Sequence, residues 1–511
     1  DPLELAPALE ADLDLEDTDE NLVFGRLDHP DRQAQPDAVF RPDREGHMVF
    51  FGTSGSGKST ALRTVAISAG YAAVWTPVQV HAIDFGSRGL STLEVLPHVG
   101  SVIAGQDHER IVRLLTMLRD MIDERATRFA SARAANLTEY RRLSGRAEPR
   151  VLLLLDGLPA FRSAYETGDR QRWADMFASI LADGRPVGVH VVMSSDQRSG
   201  LSPAIAAAVQ RRVVLRMAVP DDYVMLGVAA DVLDSTSVPG RGLDGKREVQ
   251  VAILGQSPDV LAQSERMAAF GRKMTESGVV ETPEVGSLPD LVSVADLDLT
   301  PGLVSIGIAG ETLSTLAVEP SGGFLLTGPS GSGRSTSLQS LVGSARRSVP
   351  RLRWHFLGQK RSPLAGEEWW ETSCTAADAA AQWADELTEE IKSYEVSSRR
   401  AAIVIESAGD HVNSLAEMSL QAMVRAALAD GHWVIVEGEA STIITGVGFV
   451  GLVKASRQGV ALQPDQEMGG LFKTPFPRVN RVDFPVGRGL YVRNGRTSLV
   501  QIAVPWEIAG D

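Results

Sequence analysis

The sequence predicts an α/β fold, arranged as two tandem domains that each carry a mostly parallel sheet. Three observations predict it. Two glycine-rich loops stand in matching contexts, two further strings repeat in the same order near the end of each half, and short apolar runs alternate with helical stretches between these markers.

The first glycine-rich loop follows Phe51 and runs Gly52, Thr53, Ser54, Gly55, Ser56, Gly57, Lys58, Ser59, Thr60; the second follows Thr327 and runs Gly328, Pro329, Ser330, Gly331, Ser332, Gly333, Arg334, Ser335, Thr336. Their first glycines lie 276 residues apart. The closing markers are Pro239-Gly-Arg-Gly-Leu243 with Val249-Gln-Val251, and Val486-Gly-Arg-Gly-Leu490 with Leu499-Val-Gln501. Repetition of both start and end markers indicates a duplicated domain. Residues 258–276 read as an amphipathic helix and 277–290 as a turn-rich connector, which sets the expected domains at 1–276 and 277–511. The acidic run from Glu10 to Asn21 reads as a solvated approach segment.

Within the first half, His47–Phe51, Val78–Ile83, Val151–Leu155, Val189–Met193 and Val213–Met217 read as strands, with helices over 107–135 and 170–182. This alternation predicts a parallel sheet covered on both faces, with ligands at the carboxyl ends of its strands. At 511 residues, 43% hydrophobic and 23% charged, the chain has the composition of a soluble globular protein. Its longest apolar runs fall well short of the roughly 20 residues a membrane-spanning helix needs. The chain opens on Asp1 with no leader pattern and is expected to be a piece of a longer protein. One cysteine, Cys374, provides for no internal disulfide and fits a reducing compartment. A net charge of −15 opposes the basic footprint of a chain that grips nucleic acid.

The first loop fits the pattern GxxxxGK[ST] in full and marks each domain as a RecA-like P-loop NTPase. Its glycines let the backbone curl around phosphate, and the helix start supplies amides and positive potential. Lys58 reaches the β- and γ-phosphates, and Ser59 offers its hydroxyl to Mg²⁺. The expected cofactors are therefore ATP and Mg²⁺, and Asp156, which ends an apolar strand, is the expected carboxylate on the ion. Gly157 follows it where many hydrolysing relatives place a glutamate that polarises water, so slow hydrolysis is expected. In the second loop Arg334 replaces the lysine, Ser335 stands in the metal position, and the matching strand ends in Glu406 rather than aspartate. A poorly catalytic nucleotide site and an empty relic both remain open there, with the retained glycines and Ser335 favouring binding.

After the strand 189–193, the polar Ser194-Ser-Asp-Gln197 places Gln197 where a side chain senses a γ-phosphate or simply ends the strand. Arg185 reads either as a finger for a neighbouring subunit's phosphate or as a surface pair. His47, His81 and His190 lie in or beside strands and read as packing residues, and no metal-ligand or hydrolase constellation emerges.

Taken in order, GTSGSGKST, VLLLLDG, GRPVGVHVVMSSDQ, LSPAIAAAVQRRVVLRM and VPGRGLDGKREVQVAIL resemble the FtsK/SpoIIIE family of ring-forming motors. The tandem, degenerate form looks like the EccC ATPases of type VII (ESX) secretion. That resemblance implies a membrane-anchored parent protein on the cytoplasmic side of the membrane, homo-oligomeric rings, other membrane components as partners, and small WXG-type helical-hairpin cargo. It implies that a carboxy-terminal signal on the cargo is read by residues 277–511. A DNA translocase and a non-hydrolysing nucleotide-gated scaffold are the competing readings; the acidic balance argues against the first.

Overall fold

The computed structural model describes residues 19–505 other than 87, 235, 256, 394–399, 478 and 480–483. Most of the acidic opening run lies outside the described residues.

The strands of the first unit are β1 (Leu22–Leu27), β2 (Asp37–Phe40), β3 (Met48–Phe51), β4 (Val78–Asp84), β5 (Val99–Ala104), β6 (Arg150–Asp156), β7 (Val189–Ser195), β8 (Arg211–Leu215), β9 (Arg241–Asp244) and β10 (Arg247–Val251). Those of the second are β11 (Val304–Ala309), β12 (Thr315–Val318), β13 (Gly322–Gly328), β14 (Arg353–Leu357), β15 (Thr372–Cys374), β16 (Ala401–Ile405), β17 (Trp433–Glu439), β18 (Gln458–Leu462), β19 (Arg488–Arg493) and β20 (Arg496–Ile502). Each set forms a ten-stranded sheet, ordered β2-β1-β10-β9-β8-β3-β7-β6-β4-β5 and β12-β11-β20-β19-β18-β13-β17-β16-β14-β15. Strand for strand the two orders are the same, so the duplication read from the loops extends through the whole topology.

From β8 to β5, and from β18 to β15 apart from the antiparallel pairs beyond them, neighbouring strands run parallel. Burial on both faces explains why these strands are continuously apolar rather than alternating. In β6, Leu152 and Leu154 join one core while Val151, Leu153 and Leu155 join the other, all fully buried. Each such leucine contributes about 2 kcal/mol of burial. The helix Lys58–Ala73 covers one face with Leu62, Val65, Ala66 and Ala69.

The sheet also continues where the sequence reading assigns no strand order. Beyond β8 come antiparallel partners β9, β10, β1 and β2. The repeated Gly-Arg-Gly-Leu strings are the first strands of hairpins, β9–β10 and β19–β20. The second hairpin turns through Asn494 and Gly495 at φ 51° and 84°, as a two-residue primed turn requires.

The chain divides into compact units between Val285 and Gly286. The helix Val260–Glu276 buries Met267, Phe270 and Met274 in the first unit, with Phe270 against Tyr71 at 4.5 Å. The connector after it is held there too. Thr282 donates its amide to Pro97 O at 2.8 Å and its hydroxyl to His98 O at 3.0 Å, and the Val285 amide donates to Ser101 Oγ at 2.8 Å. These bonds carry the first unit past the position 276 expected from the sequence. Among the described residues no helix is long and apolar enough to cross a membrane.

Candidate nucleotide sites

The first phosphate loop leaves β3 at the carboxyl edge of the parallel strands and enters the helix at Lys58. Its curl depends on Gly55 and Gly57, at φ 72° and 101°. A Cβ on Gly57 would stand 2.6 Å from the backbone nitrogen of Gly240. That nitrogen donates to Ser56 O at 2.8 Å, which is how the repeated Gly-Arg-Gly string braces the loop. Gly487 makes the equivalent bond to Ser332 O at 3.0 Å.

Lys58 Nζ donates to the carbonyls of Gly52 and Thr53 at 2.6 and 2.9 Å, so the ammonium lies over the start of its own loop. Burial lowers its pKa, while Asp156 and Asp196 pull the other way. Ser59 Oγ donates to Asp156 Oδ2 at 2.6 Å, which brings together the hydroxyl and carboxylate expected to serve Mg²⁺. The other carboxylate oxygen accepts from Ser194 Oγ, which in turn accepts the Gly157 amide at 2.9 Å. Gly157 takes φ 90°, and a Cβ there would lie 3.1 Å from Phe85 Cβ. A side chain at position 157 would therefore meet Phe85 at its first carbon.

Several residues at this site escape the sequence reading. Asp84 ends β4 directly opposite Asp156, and its carboxylate accepts the amides of Gly86 and Leu90 at 2.8 and 3.0 Å. Burial raises its pKa, with the Asp156 charge adding to the effect. Arg63, one turn into the helix, donates to Thr60 Oγ1 at 3.0 Å, its pKa lowered by burial with Asp156 pulling the other way, and Arg216 carries its guanidinium near Gly55. Beside the loop a cavity of about 350 Å³ opens between Gly57, Thr60 and Arg63 on one side and Val238, Pro239, Ile253 and Gln263 on the other. Its mostly apolar wall suits a flat base. The phosphate loop and the repeated Gly-Arg-Gly string both border it, but its walls meet only in the fold, because they come from segments about 200 residues apart in sequence.

Gln197 follows the end of β7 beside the loop, and Arg185 lies at the other end of that strand. Gln197 is exposed, and its side-chain oxygen accepts from Ser199 Oγ at 3.1 Å; among the polar cluster it is Ser194 that reaches Asp156. Arg185 precedes β7, at the strand ends opposite the loop, and donates Nε to Asp43 O at 3.0 Å.

The second loop keeps the same backbone, with Gly331 and Gly333 at φ 79° and 94°. Its charges differ. Register aligns the two sites: Phe51 pairs with Ser195 and Thr327 with Gly438, so Ser194 corresponds to Glu437 and Asp196 to Glu439. Arg334 Nε lies 2.8 Å from Glu437 Oε1, and its Nη1 donates to Gly328 O at 2.5 Å and stands 3.8 Å from Glu439. Glu437 Oε2 accepts the Ser407 amide at 2.9 Å, taking over the bond that Ser194 makes to Gly157. Glu406 is buried, with its pKa raised by burial and by Glu437, whereas Ser335 lines the same pocket of about 450 Å³.

Duplicated sheets with a glycine-rich loop at the carboxyl edge define a tandem P-loop NTPase. Residues 14–240 match the FtsK/SpoIIIE family, so the first unit is an FtsK/SpoIIIE domain. Nearly the whole chain is similar to EccC and EssC proteins of type VII secretion. It is 23% identical over 516 residues to the ESX secretion system protein EccC of Geobacillus thermodenitrificans, covering 94% of this chain and 34% of that protein. It is 30% identical over 364 residues to EccC of Thermomonospora curvata, covering 67% of this chain and 27% of that protein. The fold matches a solved structure of Thermomonospora curvata EccC (ATPases 2 and 3) in complex with a signal sequence peptide, with a TM-score of 0.80 and 22% identity over 96% of this chain and 94% of that one. The chain thus spans about a third or less of the length of these curated relatives.

Proposed function

We propose that this chain supplies two ATPase domains of a type VII secretion ATPase, and that its first unit binds ATP with Mg²⁺. The observation that carries the nucleotide reading is the convergence of Lys58, Ser59 and Asp156 on one glycine loop at a helix start. The residues fit the cofactor: loop amides and Lys58 for the phosphates, Ser59 and Asp156 for the ion, and the neighbouring cavity for the base. Bound Mg²⁺ would screen the charge on the phosphates. What the chain's own residues do is hold and orient; with Gly157 in the general-base position, turnover is slow. Equilibrium dialysis with ATP and Mg²⁺ tests this. Lys58→Ala is expected to weaken binding about 10- to 100-fold, as loss of a charge-assisted contact does. Fast turnover by the unaltered chain would contradict the reading.

Supporting the secretion role are the similarity along nearly the whole chain and the signal-peptide complex of its structural neighbour. We read the second unit as the one that takes the carboxy-terminal signal of small WXG-type hairpin proteins. The parent protein works on the cytoplasmic face of a membrane, in rings, with other membrane components and without nucleic acid. Titrating a labelled peptide from such a cargo terminus into the full chain should give saturable binding; a flat titration would remove the cargo assignment while leaving the nucleotide site untouched.

A further inference from the structure

We propose that Glu437 closes the second phosphate loop to nucleotide, making that loop a charge-neutral structural element. The backbone alone would not exclude ATP, since its glycines curl as in the first loop and Gly487 braces it in the same way. The exclusion lies in the side chains. In the first unit Lys58 donates, among the described residues, to two carbonyl oxygens and makes no ion pair within 4 Å, with Asp156 and Asp196 acting on it from farther off, and the strand position beside it is the neutral Ser194. In the second unit the matching position is Glu437, which is 3% exposed and bound on both oxygens, by Arg334 and by the Ser407 amide.

The guanidinium that replaces the lysine is thus neutralised within the chain, with Glu439 near its other nitrogen. With Glu406 and Asp410 the pocket is lined by four carboxylates against two guanidiniums, Arg334 and Arg361, the latter donating to Gln359 Oε1 at 3.0 Å. A triphosphate entering there would have to displace Glu437 from Arg334, and would leave that carboxylate buried without its partner while facing it with more negative charge. The substitutions in the duplicated domain are therefore linked. Lysine to arginine and serine to glutamate create one ion pair, and the pair occupies the charge that phosphate needs.

The test uses the full chain with its first loop silenced by Lys58→Glu together with Ser59→Ala, which reverse the loop's charge and remove the hydroxyl offered to Mg²⁺, so that millimolar nucleotide reports on the second loop. Radiolabelled ATP with Mg²⁺ is measured by equilibrium dialysis, and folding is followed by thermal melting. The silenced chain is expected to bind no ATP at millimolar nucleotide. Adding Arg334→Lys with Glu437→Ser rebuilds the charges of the first loop and should restore one equivalent. Arg334→Lys alone should not, because Glu437 then neutralises the lysine. Should the serine variant fail to fold, Glu437→Gln keeps the shape and removes the charge, and binding should rise about tenfold or more. A silenced chain that still binds one equivalent, or charge-removing variants that fold and gain nothing, would overturn the proposal.

Discussion

Gly57 shows how closely single residues govern the first site. It begins the helix at φ 101°, and its missing Cβ leaves room for the Gly240 nitrogen that braces Ser56. Gly57→Ala would carry about 1–2 kcal/mol of left-handed strain and a backbone clash in addition. Reduced ATP affinity with a lower unfolding midpoint is expected; equal affinity and midpoint in the variant would show that the loop relaxes freely. The same scale separates residues legible in the sequence from those that were not. Lys58, Ser59 and Asp156 announce themselves by motif and by an apolar strand ending in a carboxylate. Ser194 and Glu437 do not, because only strand register turns them toward the site, and a polar stretch after a strand offers several equivalent candidates, of which Gln197 is one.

Among the elements, the end of the sheet opposite the phosphate loop is tied by the buried guanidinium of Arg150. Arg150 opens β6 and donates to Asp19 Oδ2 at 2.8 Å, to Asp43 Oδ1 at 2.6 Å and to His190 Nε2 at 2.8 Å, while His190 Nδ1 donates to Gly46 O at 2.8 Å. This joins β6, β7 and the segments before β1 and β3. Arg150→Met would leave two carboxylates without their buried partner, a loss of about 3–5 kcal/mol. Chemical denaturation should show it as an earlier transition, and an unchanged midpoint would mean water replaces the guanidinium. The parallel strands were legible from their apolar runs. The antiparallel hairpins were visible only as a repeated string, since β9 and β10 are four and five residues long and carry charged residues that weaken the β signal.

At the scale of the whole chain, buried histidines set the pH response. His47, His81 and His98 in the first unit and His355 in the second are pushed down to about 4, chiefly by burial. An unfolded histidine takes up its proton near 6.5, so the unfolded chain gains protons first as pH falls. Their contribution to stability is therefore full above about 6.5, declines from there toward about 4 and levels below, each group contributing at most about 3 kcal/mol. Melting temperatures at pH 7.5, 6 and 5 should fall in that order; a flat series would show that these rings are not held neutral.

By itself the sequence determined the class, the duplication and the first phosphate loop, because these depend on local backbone freedom, strand-length apolar runs and a helix start, all written in contiguous residues. Tertiary structure decided where the first unit ends, which walls form the cavity beside the loop, and which charges face Arg334. Those features join positions up to about 200 residues apart: strand register brings Glu437 to Arg334, and the packing of the hairpin, the helix Val260–Glu276 and the connector after it against the sheet makes the other two.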